Sequence, residues 1–265
     1  MKKVIIIIFL LLEILLIINM EKVIIEFKNT LSICLYSLMP TMFFSIFFTN
    51  ILSSNNFNNI FLLSILGGYP NNVKLLKNSN NEYLNYCTNF VNPLYFIGTI
   101  YNLYLKNIVI ALIILISHYL SSFIIYYFFK EKESIDNKDI NFKESYFLSL
   151  KNTINTIALI FSNLLFISLL VTLLKLTLPF SSIINSFIIG LLEFSKGIYE
   201  LSLLDVNIYL KGLLILIIIT FGSFSIHFQI ISINPKIKYI KYLLFRLLNV
   251  LISIIIYFIL VNITN

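Results

Sequence analysis

Apolar residues fall along this chain in long unbroken runs, without the alternation of a half-buried strand or the single stripe of a surface helix, and the runs predict membrane-spanning helices. Residues 4–20 form the first run, behind Lys2 and Lys3. It is short and basic at its start, as a signal peptide is, but residues 17–20 read Ile-Ile-Asn-Met and offer no small-residue cleavage site, so an uncleaved helix is expected. Residues 31–52 and 107–129 are full spans, the latter 23 residues long, enough at ~1.5 Å per residue for a ~30 Å hydrocarbon core with some tilt. Between them, residues 59–66 and 90–101 are too short to cross alone, and Gly67-Gly68-Tyr69-Pro70 and Asn89-Phe90-Val91-Asn92-Pro93 punctuate them. The second half follows with a span at 148–176, a short run at 180–192 and a span at 208–233 interrupted at Gly222-Ser223. A last span runs over 239–262.

Both halves therefore read span, short hairpin, interrupted span, span. Sliding the chain against itself by 123 positions aligns Lys28-Asn29-Thr30 with Lys151-Asn152-Thr153 and Gly67 with Gly190, with ten identities over the 41 positions from 27 to 67. Three crossings plus one re-entrant hairpin per unit make the second copy inverted, the arrangement of secondary transporters with discontinuous helices. The expected architecture is an all-α polytopic membrane protein: an N-terminal transmembrane helix at 1–26, a first repeat at 27–129, a polar cytoplasmic loop at 130–147 and a second repeat at 148–265.

Composition narrows the class. Hydrophobic residues make up 59% and charged residues 12% of the 265, and the mean hydropathy is +0.94, which leaves too little polar surface to coat a soluble particle. Cys34 and Cys87, both in apolar stretches, form neither a disulfide framework nor a zinc site. The net charge of +7 is spread in short tracts beside apolar runs and lacks the clustered basic face of a nucleic-acid binder. With the N-terminus inside, thirteen cations fall on the cytoplasmic side, Lys74 and Arg246 among them, and six outside; this predicts seven crossings and an outside C-terminus.

Candidate chemistry lies where the backbone breaks at membrane depth, because open backbone is tolerated there only inside protein or along a cavity. At Gly68-Tyr69-Pro70, Pro70 suits a first helical turn and leaves the following amides to face an anion, with Lys74 one turn on; the alternative is a cytoplasmic loop with a positive-inside lysine. At Asn89 and Asn92, the carbonyls and amide side chains freed by Pro93 either bind a polar ligand or cap a structural kink. Pro40 reads as a plain kink. Glu193 and Lys196, three apart, either neutralise each other or serve a site. Ser225, His227 and Gln229 follow the break at Gly222-Ser223, and His118 lies within a span, where histidine serves as a helix contact or a proton carrier. No paired acids, metal cluster or nucleophile motif supports an enzyme, and no cofactor is expected.

Several of these motifs occur in an order that resembles the YlbJ (SpoVV) family of sporulation integral membrane proteins, which carry the nucleoside-recognition or Gate domain. They are Gly68-Tyr69-Pro70 with Lys74, Thr88-Asn89 with Asn92-Pro93, Ser117-His118-Tyr119, Gly190 to Glu193 with Gly197, Ser225 to Gln229, and Arg246-Leu247-Leu248. The resemblance covers about residues 30–250; Asn72 stands where relatives tend to have glycine, and the central loop is reduced. It implies a fold similar to concentrative nucleoside transporters, with two re-entrant hairpins and two broken helices around a midplane site. It also implies a mother-cell protein that moves dipicolinic acid across the outer forespore membrane. Expected partners are thus the bilayer and a small anion such as dipicolinate, with homo-oligomerisation left open. The competing reading is a non-transporting scaffold of the sporulation membrane.

Overall fold

A computed structural model describes residues 2–55, 57, 59–76, 83–129, 142–175 and 181–264. All regular structure among these residues is helical. Five helices are long and apolar enough to cross a membrane: Met20–Ser54, Ile108–Phe129, Ser145–Leu174, Ile208–Ile233 and Tyr239–Thr264. The chain is an all-α, multi-pass membrane protein. The polar tract from 130 to 141, the end of one expected span at Leu176 and the start of the short run at Phe180 lie outside the described residues.

Helix α1 (Lys2–Ile18) leads into a 35-residue helix, Met20–Ser54, made of α2 (Met20–Ser32), a π-helical turn over Ile33–Leu38 and α3 (Met39–Ser54). The expected span started only at Leu31. Residues 20–30 contain Glu21, Lys22, Glu26 and Lys28 but neither glycine nor proline, so the helix continues through them. Hydropathy reports where the lipid begins, and backbone chemistry reports where a helix begins. The same holds for α9 (Phe142–Lys175), which starts inside the expected 130–147 loop.

Pro40 lies in the first turn of α3, directly after the π turn, where the Met39 amide reaches back five residues to the Cys34 carbonyl. The widened turn accommodates a residue that lacks an N–H and crowds the carbonyl four residues earlier. A second π segment, Phe96–Leu105, follows α7 (Pro93–Tyr95). The two π segments face each other: Ser37 Oγ donates to Thr99 Oγ1 at 3.2 Å, and a Cβ on Gly98 would lie 2.8 Å from Thr41 Cγ2.

Four interruptions shape the rest. Helix α4 (Ile60–Gly67) stops before α5 (Asn71–Leu75), and α6 (Leu84–Cys87) is separated from α7 by five non-helical residues. Helix α10 (Ser182–Leu192) turns into α11 (Phe194–Leu203) at Glu193, and α12 (Ile208–Phe221) into α13 (Phe224–Ile233) at Gly222-Ser223. Helix α8 (Ile108–Phe129) and α14 (Tyr239–Thr264) pack on α12, where a Cβ on Gly212 would meet Ile110 Cγ2 at 2.6 Å and the Tyr257 hydroxyl at 2.7 Å. Large apolar side chains such as Phe44, Phe48, Ile255 and Phe258 face outward, while polar Thr49, Asn71, Ser117, His118 and Arg246 are buried. That inside-out distribution is what a lipid solvent selects.

Candidate functional site

The first interruption depends on glycine. Gly68 has φ +63°, and a Cβ there would lie 2.8 Å from Asn92 Cβ and 2.9 Å from Asn92 N, so the Gly67-Gly68-Tyr69-Pro70 break rests directly on the 88–92 break. Tyr69 N–H donates to the Phe90 carbonyl at 2.9 Å, and the Tyr69–Pro70 peptide is cis. Asn92 caps α7 by accepting from Leu94 N and Tyr95 N at 2.8 and 3.1 Å, while its Nδ2 donates to the Leu66 carbonyl at 3.1 Å. Asn72 Nδ2 donates to the Thr88 carbonyl and to Asn89 Oδ1, at 3.0 and 2.9 Å. Side-chain amides thus replace the helical bonds that the breaks forfeit. The amide of Asn72, expected to be free for an anion, donates to the Gly68 carbonyl at 3.2 Å.

In the second half, Glu193 has extended backbone and caps α11, its Oε2 accepting from Lys196 N at 2.6 Å. Helices α10 and α11 cross at their glycines, with a Cβ on Gly197 falling 2.0 Å from Gly190 Cα. The ring of Phe194 meets those of Tyr69 and Tyr95 edge-on at 5.7 and 5.5 Å, joining this break to the first. Lys196 extends to α2, where its Nζ pairs with Glu26 Oε1 at 2.6 Å.

The fourth break has positive φ at Gly222 and Ser223. Ser225 Oγ lies 3.0 Å from Ser223 Oγ, and His227 Nε2 is 3.0 Å from the Phe221 carbonyl, an acceptor, so Nε2 carries the proton. His227 Nδ1 and Gln229 Oε1 are buried, with no partner among the described residues. His118 joins the halves: its Nε2 accepts from Val91 N at 3.0 Å, which leaves Nδ1–H to donate to Thr220 Oγ1 at 3.0 Å.

Arg246 ties these breaks together. Fully buried on α14, its guanidinium donates through Nε to the Phe221 carbonyl at 3.1 Å, through Nη1 to the Asn89 carbonyl at 3.2 Å and through Nη2 to the Thr220 carbonyl. Among the described residues no carboxylate pairs with it. Counting cations for topology assigned Arg246 to a cytoplasmic flank, because it lies near Lys236, Lys238 and Lys241; helical packing places it inside. A signal for it was present, since this is the single arginine in a chain with 18 lysines, standing in an apolar run.

Gly68, Tyr69, Pro70, Asn89, Asn92 and Glu193 therefore lie at interruptions linked through Arg246, Phe194 and His118, with Ser225 and His227 in the first turn of α13 and Gln229 further along it. Lys74 does not join them. Its Nζ bonds to the Asn152 carbonyl and Thr156 Oγ1 on α9, at 3.1 and 3.3 Å. Among the described residues no group of three or more His, Cys, Asp or Glu side chains is placed to hold a metal ion. Comparison with protein-family models, with curated proteins and with solved structures returned no match.

Proposed function

We propose that this chain is a membrane transporter that carries a small anionic metabolite through the centre where its four backbone breaks meet. Arg246 is the observation that carries the reading. A guanidinium stays charged, and burying one without a counter-charge costs several kcal/mol unless hydrogen bonds or an anion return it. Three of its five N–H donors go to carbonyls, which leaves two for a ligand. The hydroxyls of Tyr69 and Tyr242 are buried with no partner among the described residues, and Tyr242 stands one turn before Arg246 on α14.

In this reading residues 27–129 and 148–265 are inverted repeats, with α4–α5 and α10–α11 as re-entrant hairpins and α6–α7 and α12–α13 as broken helices, similar to concentrative nucleoside transporters. Helix α1 and the broken α6–α7 segment with its π extension supply the two crossings beyond the five long helices. The motif order supports membership in the YlbJ (SpoVV) family, and with it dipicolinate as substrate and the outer forespore membrane as location. A planar dianion suits a site with one fixed cation and several neutral donors; a nucleoside has no use for the charge.

The carbonyl bonds of Arg246 also favour a second reading, a non-transporting scaffold in which the guanidinium only clamps broken helices. Uptake of labelled dipicolinate into proteoliposomes, with and without proton or sodium gradients, separates the two. Transport predicts saturable uptake that Arg246→Lys abolishes. A folded wild-type protein that takes up no dipicolinate under any gradient supports the scaffold.

A further inference from the structure

Lys74 opens a second question, because a cation placed away from the Arg246 centre has its own surroundings. It borders a cavity of about 260 Å³ lined by the polar residues Asn50, Ser53, Ser54, Ser149 and Asn152 together with Leu75 and Leu148, several times the ~30 Å³ that a water occupies. Both acceptors of its ammonium are neutral, and among the described residues no carboxylate pairs with it. An ammonium has three donors, so one remains. Serine hydroxyls of α3 and α9 meet beside the cavity, Ser54 with Ser145 and, at 3.5 Å, with Ser149. Beyond Leu52 the sequence turns to Ser53-Ser54-Asn55-Asn56, and before Tyr146 it reads Lys143-Glu144-Ser145, so the basin lies beside the polar ends of both apolar runs.

We infer that the Lys74 basin is a second oxyanion-binding site, separate from the Arg246 centre, that takes a carboxylate or phosphate group. A half-buried cation with Ser53, Ser149 and the Asn152 amide around a cavity matches such a group in charge and offers several donors. Ser54 and Asn50 already donate to the Ile51 carbonyl and Thr153 Oγ1, respectively. Two sources carry that chemistry to the membrane boundary: a soluble carboxylate or phosphate, and the phosphate of an anionic lipid headgroup. The inference is independent of transport, since the basin would bind whether or not a ligand crosses.

The test introduces Ser53→Cys in the full-length protein and follows modification of that position, by peptide mass spectrometry, with 2-sulfonatoethyl and 2-trimethylammonioethyl methanethiosulfonate. Each rate is normalised to that of 2-mercaptoethanol. In phosphatidylcholine nanodiscs the anionic reagent is expected to react about tenfold faster, dipicolinate or inorganic phosphate to slow it, and Lys74→Gln to remove both effects while Lys74→Arg retains them. Protection by phosphatidylglycerol alone, with none from dipicolinate or phosphate, assigns the site to a lipid headgroup. Equal normalised rates, absence of protection by all three probes, or no reaction with either reagent overturns the inference.

Discussion

Arg246 Nη1 donates to the carbonyl of Asn89 at 3.2 Å, across 157 residues of sequence, and its other nitrogens hold the Thr220 and Phe221 carbonyls. One side chain thus bridges the interruption of the first half to that of the second. A lysine keeps the charge but is a point donor without the planar fork. Arg246→Lys is therefore expected to leave at least one buried carbonyl unsatisfied, at about 1–3 kcal/mol. The detergent-solubilised variant should show a lower thermal midpoint than wild type; an unchanged midpoint would show that the bridge contributes nothing to stability.

Gly197 and Gly190 set the crossing of α10 and α11. A Cβ on Gly197 would sit 2.0 Å from Gly190 Cα, a backbone atom, so Gly197→Ala must separate the helices. Gly98→Ala meets no backbone outside its own helix within 4 Å, only the Thr41 side chain, whose methyl lies 2.8 Å away. Side by side, Gly197→Ala should reduce folded protein severely and Gly98→Ala little, as read by size-exclusion profile and melting temperature.

His118 receives a backbone N–H on Nε2 and must carry its proton on Nδ1. Nitrogen-15 chemical shifts of labelled protein are expected to show that tautomer. His118→Leu strands the Val91 amide, at about 1–3 kcal/mol, whereas His118→Gln keeps an acceptor and should recover part of the loss.

Glu26 on α2 pairs with Lys196 of α11 at 2.6 Å, both side chains largely withdrawn from the surface. A double-mutant cycle with Glu26→Gln and Lys196→Gln should give a coupling energy of about 0.5–3 kcal/mol, measured by denaturant unfolding. Strict additivity would mean that the contact holds nothing together.

An inverted second half requires an odd number of crossings between residues 138 and 265. Cysteines introduced by Lys138→Cys and Asn265→Cys should accept an impermeant maleimide from opposite sides of the membrane. Labelling from one side would remove the inverted-repeat reading.

The sites of the breaks were legible because their causes are local. Gly68 reaches a φ that side chains resist, Pro93 has no N–H to give, and Gly222 permits a left-handed turn. Apolar runs likewise announce a membrane, since the solvent acts on each residue in turn. Sequence alone could not say where Met20–Ser54 would begin as a helix, because polar residues without breakers extend it beyond the lipid signal. Nor could it say which cation enters the centre. Lys74 stands four residues from Pro70 and was expected there, yet packing directs it to Asn152 and Thr156. Arg246 stands among lysines near one end of α14, yet the close approach of the breaks leaves three carbonyls that only a buried planar donor satisfies together. A broken backbone is a property of a few neighbouring residues. The partner that satisfies it comes from wherever tertiary packing brings a donor, and only the assembled helices determine that.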